Sequence, residues 1–213
     1  MFRTILTLSA FGLLTGVMAN ASSLSPGGSV AGASITINTS DKVDGFGGTL
    51  IIGASSANYQ VQVYSDPSNP FCAGCLDFVY FIDNQSNSTM ADFTVSNFGG
   101  KPVNVGFFAT PNFGTIVPQT ISFDTNGNIT FDFGNALGSH LVTENLVVVT
   151  SAATFANGSV DGIDANGASG VGFSLEPTPV VTTTGPVPEP STLLLFGSGI
   201  VGLAAAAKRR FLA

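Results

Sequence analysis

The chain has no tryptophan, one histidine, two cysteines and six basic residues, and charged residues make up only 9% of its 213 positions. Each shortage closes off a class of chemistry. Two Cys and one His cannot complete a Cys₄ or Cys₂His₂ zinc site. With His140 as the sole imidazole, a Ser-His-acid triad has one available base. Gly138-Ser139-His140 reads as a polar turn, and no Gly-x-Ser-x-Gly elbow accompanies it in the central part of the chain. Without Trp, and with three Tyr, the usual aromatic platform for stacking sugars is thin. Four of the six basic residues, Arg3, Lys208, Arg209 and Arg210, lie at the two ends. The rest of the chain keeps Lys42 and Lys101 against thirteen acids, a net charge of −11. No basic patch can displace phosphate counterions, which argues against a nucleic-acid partner. Lys, Arg, Glu and Gln, which fill exposed helix faces, are also scarce, so few helices are expected.

What is present begins at the two ends. Arg3 supplies a positive start, Ile5–Met18 an apolar run, and Ala19-Asn20-Ala21 a small-x-small cleavage site. This reads as a secretory signal over residues 1–21, handled by the Sec export machinery and cut after Ala21, with Ala19 as the next candidate. No Cys follows the apolar run, which excludes a lipoprotein signal. At the other end come Val187-Pro188-Glu189-Pro190-Ser191, an uncharged run to Ala207, then Lys208-Arg209-Arg210. At about 1.5 Å per residue, the run Ser191–Ala207 reaches roughly 26 Å as a helix, enough to cross a thin hydrocarbon layer. The basic triplet is expected to stay cytoplasmic, leaving everything before it outside. Five prolines in Pro177–Pro190 make the approach extended, which suits a segment that another protein must grip.

This tail resembles the PEP-CTERM sorting signal of Gram-negative bacteria. The resemblance rests on Pro188-Glu189-Pro190, the Leu-, Gly- and Ala-rich span, and Lys208-Arg209-Arg210 occurring together at the terminus. It implies an inner-membrane intermediate, processing near the Pro-Glu-Pro by an exosortase-type membrane transpeptidase, and delivery to the cell surface or the exopolysaccharide matrix. Such tails also go by the name of ice-binding protein C-terminal domain. No repeated Thr-x-Thr ladder is present, so that name implies no ice binding here. A plain single-span anchor is the alternative. A sortase signal lacks its Leu-Pro-x-Thr-Gly, and a GPI signal lacks its polar spacer.

Between the ends, Ser22–Glu176 is long enough for one domain with its own core. Short β-branched and aromatic runs recur between turn clusters. Gln60–Tyr64 and Ala91–Ser96 alternate, as do Ile121–Asp124 and Ile129–Phe133 on either side of Thr125-Asn126-Gly127-Asn128, which reads as a hairpin with a tight primed turn. Leu76–Ile82 and Leu146–Val149 are continuously apolar and are expected to be central strands. About ten strands are expected, near 34–38, 49–53, 59–65, 76–83, 90–97, 103–109, 119–124, 128–133, 145–150 and 168–175. The expected fold is all-β, an antiparallel β-sandwich or jelly roll, with a β-solenoid second because no fixed-period repeat is found. Leu76–Asn84 followed by Phe93–Phe98 also resembles passengers that often carry this tail, in which a strand ending in a polar Asn turn pairs with the next strand.

Chemistry is sparse. Cys72-Ala73-Gly74-Cys75 should be oxidised in an exported protein. A thiol-redox role needs a neighbouring cation or helix N-terminus, and neither is expected, so a small stapling disulfide is the better reading. Asp77, Asp83, Asp92, Asp124 and Asp132 lie in or at the ends of expected strands. Paired carboxylates would suffice for glycoside hydrolysis, but a solvated sheet face explains them as well. Asp124–Asn128 and Asp161–Gly167 cluster oxygen donors, with Asp161, Asp164 and Asn166 as the calcium candidates. Neither follows the EF-hand pattern, and ordinary turns need the same residues. No catalytic residue, no resident metal and no cofactor are expected. The reading is a non-enzymatic surface or matrix protein with exopolysaccharide as a candidate ligand. A carbohydrate- or matrix-binding module is the alternative and a secreted hydrolase is third.

Overall fold

Twelve strands make up the regular structure: β1 (Ser22–Leu24), β2 (Gly28–Ala31), β3 (Lys42–Ile52), β4 (Ser55–Asp66), β5 (Cys75–Asn84), β6 (Met90–Val95), β7 (Val103–Phe108), β8 (Thr120–Phe123), β9 (Ile129–Leu137), β10 (Asn145–Val149), β11 (Phe155–Asp164) and β12 (Ser169–Pro177). The computed structural model describes residues 22–109 and 114–178. The targeting segments read at the two ends lie outside the described residues. Sheet I runs β1-β7-β10-β5-β4-β3 and sheet II runs β12-β11-β6-β9-β8-β2. Every ladder in both is antiparallel. The all-β class and the two-sheet, sandwich-like arrangement agree with the alternation in the sequence; a solenoid does not.

Alternation decides what enters the core. Val61, Phe78, Tyr80 and Ile82 from sheet I meet Phe93, Ile121, Phe131 and Phe133 from sheet II, all fully buried in one cluster. Phe78 packs edge-on against Phe98 with ring centroids 5.6 Å apart, and Tyr80 lies 5.9 Å from Phe93. The two continuously apolar runs are β5 and β10, the middle strands of sheet I. They are apolar on both sides because the outer face of sheet I is covered as well. There Tyr64, Val79, Val147 and Val149 are buried under Ile35, with Ile37, Phe71 and Phe108 packed against them.

The cover comes from two connections. Residues 33–41 cross the outer face of sheet I, with Ile35 N–H donating to Phe107 O at 2.8 Å and Phe107 N–H to Ala33 O at 3.0 Å. Gly106 admits this strap, because a Cβ there would drive into Ala33 O and Ile35 Cγ2. The loop between β4 and β5 brings Phe71 onto the same face. At the far edge the sheets are closed by Tyr59, whose hydroxyl donates to Phe173 O. Its phenol needs Gly48 and Gly172 on either side, where a Cβ would lie 2.5 and 2.7 Å from its oxygen.

Several sequence expectations are corrected. The strand expected near 34–38 is the strap: Ile35 points inward as the alternation requires, but Ser34 makes only an isolated bridge to Phe107. The chain crosses the ladder there instead of extending it. β3 begins at Lys42, well before 49, because its glycines sit in an edge strand instead of ending one. β11 was not expected at all. The Asp161–Gly167 cluster reads as a turn, yet Gly162 makes room for Met90 and Leu50, as Gly158 does for the Glu176 carboxylate. β1 and β2 are short, Ser- and Gly-rich, and carry little strand signal. The hairpin at Thr125–Asn128 joins β8 to β9, but without a primed turn. Only Gly127 is left-handed (φ +91°), and the Asp124 carboxylate closes the loop by accepting Asn126 and Asn128 N–H. Finally, the strand ending at Asn84 does not pair with the next one, since β5 belongs to sheet I and β6 to sheet II. Asn84 turns the chain across, donating to Ser88, Leu137 and Gly138 carbonyls and accepting from Ser86.

Candidate functional site

A buried polar cluster lies on the covered face of sheet I, around the disulfide. Cys72 and Cys75 are bonded, with Cα atoms 5.3 Å apart. Cys72 is exposed at the loop tip; Cys75 is buried at the start of β5. Opposite Cys75 in the ladder stands Asp66, the last residue of β4, and two residues along β5 on the same side stands Asp77. Both are buried, at 2% and 0% exposure. Asp66 Oδ1 accepts the N–H and the hydroxyl of Ser68, both at 2.6 Å, and Oδ2 accepts Asn38 N–H from the strap at 3.0 Å. Asp77 Oδ1 accepts Asn69 Nδ2 at 2.8 Å, and the same amide donates to Thr150 O. Asn69 Oδ1 accepts Phe71 N–H.

Asp77 Oδ2 is buried with no donor facing it. Its neighbour is the Asp66 carboxyl, and two ionised carboxylates cannot hydrogen-bond each other. A proton on Asp77 turns that contact into a bond. Burial, then the bond to Asp66 and its charge, push Asp77 up to about 8 against the lowering effect of Asn69. Burial acts to raise Asp66 too, but the bonds from Ser68, Asn38 and Asp77 outweigh it, and its carboxyl lies below the ordinary value. Sequence reasoning named Asp77 and missed Asp66 and Asn69. Only the β4–β5 register reveals the pairing.

The outer face of sheet II is different. One row across it runs Asp161, Thr94, Thr130, Ser122, Ser29, each directly opposite the next. The neighbouring row holds Asp92 opposite Asp132. Burial, then the charge of Asp132, raise Asp92. This is the strand-borne acid pair the hydrolase reading needed, but it stands on an open face with hydroxyls, not aromatic rings, beside it. The calcium candidates do not converge. Asp161 is on this outer face, while Asp164 is three residues on, with Oδ1 accepting Asn166 and Ala168 N–H to form the β11–β12 turn. Among the described residues no three His, Cys, Asp or Glu side chains form a metal-binding group. His140 is exposed in a left-handed turn (φ +55°), and Ser139 Oγ donates to Ser86 O at 2.7 Å. These two residues therefore do not form a nucleophile–base pair. Asp83 lies opposite Asn58 in the β4–β5 ladder.

Two further features went unread in the sequence. Glu176, buried near the end of β12, accepts Asn97 Nδ2 at 2.6 Å and Ser96 Oγ at 3.3 Å, which ties the last described strand to β6 and its turn. Burial raises its carboxyl against these bonds. Of the six exposed large hydrophobic residues among those described, Val43, Phe46, Ile51, Val171 and Phe173 lie on the edge strands β3 and β12; Leu141 is the exception. Phe46 and Phe173 pack edge-on at 5.3 Å.

Val187–Ser191, Lys208–Arg210, Ala19 and Ala21 all lie outside the described residues, within which no helix is long and apolar enough to cross a membrane. Comparison with family models settles what the tail is: residues 186–210 match the PEP-CTERM protein-sorting motif. That motif marks an exported protein that transits the membrane, has an exosortase as its processing partner, and goes on to the surface. No curated protein and no solved structure matches the chain.

Proposed function

We propose that the chain is a non-enzymatic component of the bacterial surface or exopolysaccharide matrix, exported by its N-terminal signal, held by the C-terminal span and released by exosortase. The sorting motif at residues 186–210 carries this reading. The domain before it supports the non-enzymatic part. One carboxyl pair is sealed under the strap, the other lies on an open face, and the hydroxyl of Ser139, next to His140, is committed to Ser86 O. Mature protein from an exosortase-bearing host should end near Val187–Ser191, as read by C-terminal mass spectrometry. A mature chain that keeps Lys208–Arg210 would favour the plain anchor. The same material should turn over no generic ester, peptide or glycoside substrate. Turnover abolished by His140→Ala would promote the hydrolase reading instead.

The Phe46–Phe173 pair favours a second reading, a carbohydrate- or matrix-binding module, since exposed rings are what sugar faces stack on. Phe46→Ala with Phe173→Ala should then lower retention on the host's exopolysaccharide several-fold without unfolding the domain.

A further inference from the structure

We propose that Asp66 and Asp77 hold a single proton between them in the folded protein, and that this proton is a latch: the disulfide loop and the strap close over sheet I with it and release it when they open. The geometry carries the inference. Asp66 binds the strap through Asn38 and the loop through Ser68, while Asp77 binds the loop through Asn69. Asp77 Oδ2 faces that junction with no donor of its own. Without a proton, two charges would meet in a site closed to water, and the weakest of these bonds would give way.

The surroundings offer no other remedy. From β4 the facing groups are Asp66 and Tyr64, whose hydroxyl is taken by Gln62. From β10 it is Val149, opposite Asp77, and from the loop it is Asn69 and the disulfide. The strap brings Asn38, with Asp41 exposed beyond it. The nearest lysine along the ladder is Lys42, opposite Tyr64, which is exposed and turned back over Gly45. A metal ion suits the site poorly. The groups aimed at the carboxylates are N–H and O–H donors, and among the described residues no third acid joins the pair. Burial and the Asp66 charge, which raise Asp77 to about 8, agree with this geometry.

Opening exposes Asp77 to water, where it ionises near its ordinary value of 3.8. One proton therefore leaves on opening at any pH between about 4 and 8, so the opening constant should rise about tenfold per pH unit across that window and level off above it. The full-length chain in detergent can be followed by amide hydrogen exchange in residues 33–41 and 66–75, corrected for intrinsic exchange. Reduction of Cys72–Cys75 by a phosphine, against a small reference disulfide, is a parallel readout. Wild type should show a logarithmic slope near one between pH 5 and 7, and Asp77→Asn, whose amide is a permanent donor towards Asp66, a slope near zero. A flat wild type, or an unchanged slope in the variant, overturns the latch. So does protection restored by added calcium at pH 8, which would assign the site to a cation. Independently of any variant, infrared spectroscopy of wild type at pH 6.5 should show the band of a protonated buried carboxyl; its absence also overturns the proposal.

Discussion

The outer faces of the two sheets are made by strands of similar length and carry opposite chemistry. On sheet I the outward side chains of β5 and β10 include Asp77, Val79, Val147 and Val149, and all are buried. On sheet II the outward side chains of β6, β8 and β9 include Asp92, Thr94, Thr120, Ser122, Thr130 and Asp132, and all are partly exposed. The difference is topological. Sheet I is crossed by the connection into β3 and by the disulfide loop, so its middle strands are largely apolar on both sides, and the one acid they bury, Asp77, needs special handling. No described connection covers the central strands of sheet II, whose outer face is free to be polar. The Asp92–Asp132 pair is therefore ordinary on sheet II, whereas Asp77 is a constraint on sheet I.

The largest expected consequence is in pH dependence. The folded protein keeps the Asp77 proton up to about pH 8, while the unfolded chain loses it near 3.8. Between those values the folded state holds one more proton, so stability is greatest at the acid end and falls as pH rises, by as much as ~5 kcal/mol over the window. Asp66 has the opposite sign. Its lowered carboxyl adds stability above the ordinary value that is lost only as pH falls further. Denaturant melts should thus place the optimum near pH 4–5, and Asp77→Asn should flatten the alkaline limb. Asp92 on sheet II is raised too, but it is solvent-screened and should contribute little. A melt that strengthens steadily from pH 5 to 8 would contradict this account of sheet I.

A matched pair of substitutions tests the covering directly. Val147→Asn places an amide under the strap with no partner and leaves a gap beside Val79, which should cost about 3–4 kcal/mol. Ser122→Asn on sheet II should stay within about 0.5 kcal/mol. Equal costs would mean that the strap does not cover sheet I in solution.

Gly106 probes the cover from below. Gly106→Val forces the new side chain into Ala33 O and Ile35 Cγ2 and should cost about 1–3 kcal/mol, with faster exchange confined to residues 33–41. Breaking the disulfide should cost less, on the order of 1–2 kcal/mol, because a loop this small gains little from closure. Alkylation of the exported, folded protein without reductant should label neither cysteine.

The same contrast explains what the sequence could reveal. In the middle of sheet II strict alternation wrote the strands out, and β6, β8 and β9 are recognisable from Phe93, Ile121 and Phe131 with their Thr and Ser neighbours. On sheet I the continuous run Leu76–Ile82 correctly announced a central strand, but nothing local said what would cover its second side. Ile35 and Ile37 alternate like a strand and serve as a lid. Glycine misled in the other direction: Gly162, in a cluster that reads as a turn, is a strand position emptied for Met90, as Gly158 is for Glu176. The acid pair was legible in neither partner alone. Asp66 follows an alternating strand and precedes a proline, as a turn residue would, and only the register with β5 brings it to Asp77. The sorting tail is the reverse case. Its meaning lies in the order of short segments along the chain, so it is readable without any fold.

The smallest effect asks whether sheet II is bare in solution. Thr94 Oγ1 and Thr130 Oγ1 lie 2.8 Å apart across a direct cross-strand pair. In an open, wetted face each hydroxyl can exchange its partner for water, so a double-mutant cycle with Thr94→Val and Thr130→Val should give a coupling of about 0.5 kcal/mol. Each single change removes one hydroxyl and leaves volume almost unchanged, so packing adds little to the measured term. If another surface covers this face in the mature protein, water is excluded and the surviving hydroxyl in each single variant is stranded. The coupling should then exceed about 1.5 kcal/mol. Chemical denaturation of the four proteins, first dilute and then in the presence of the host's exopolysaccharide, separates the two cases. A large coupling in dilute solution would erase the contrast between the sheets, and one that appears only with the polysaccharide would place the ligand on sheet II and not on the Phe46–Phe173 edge.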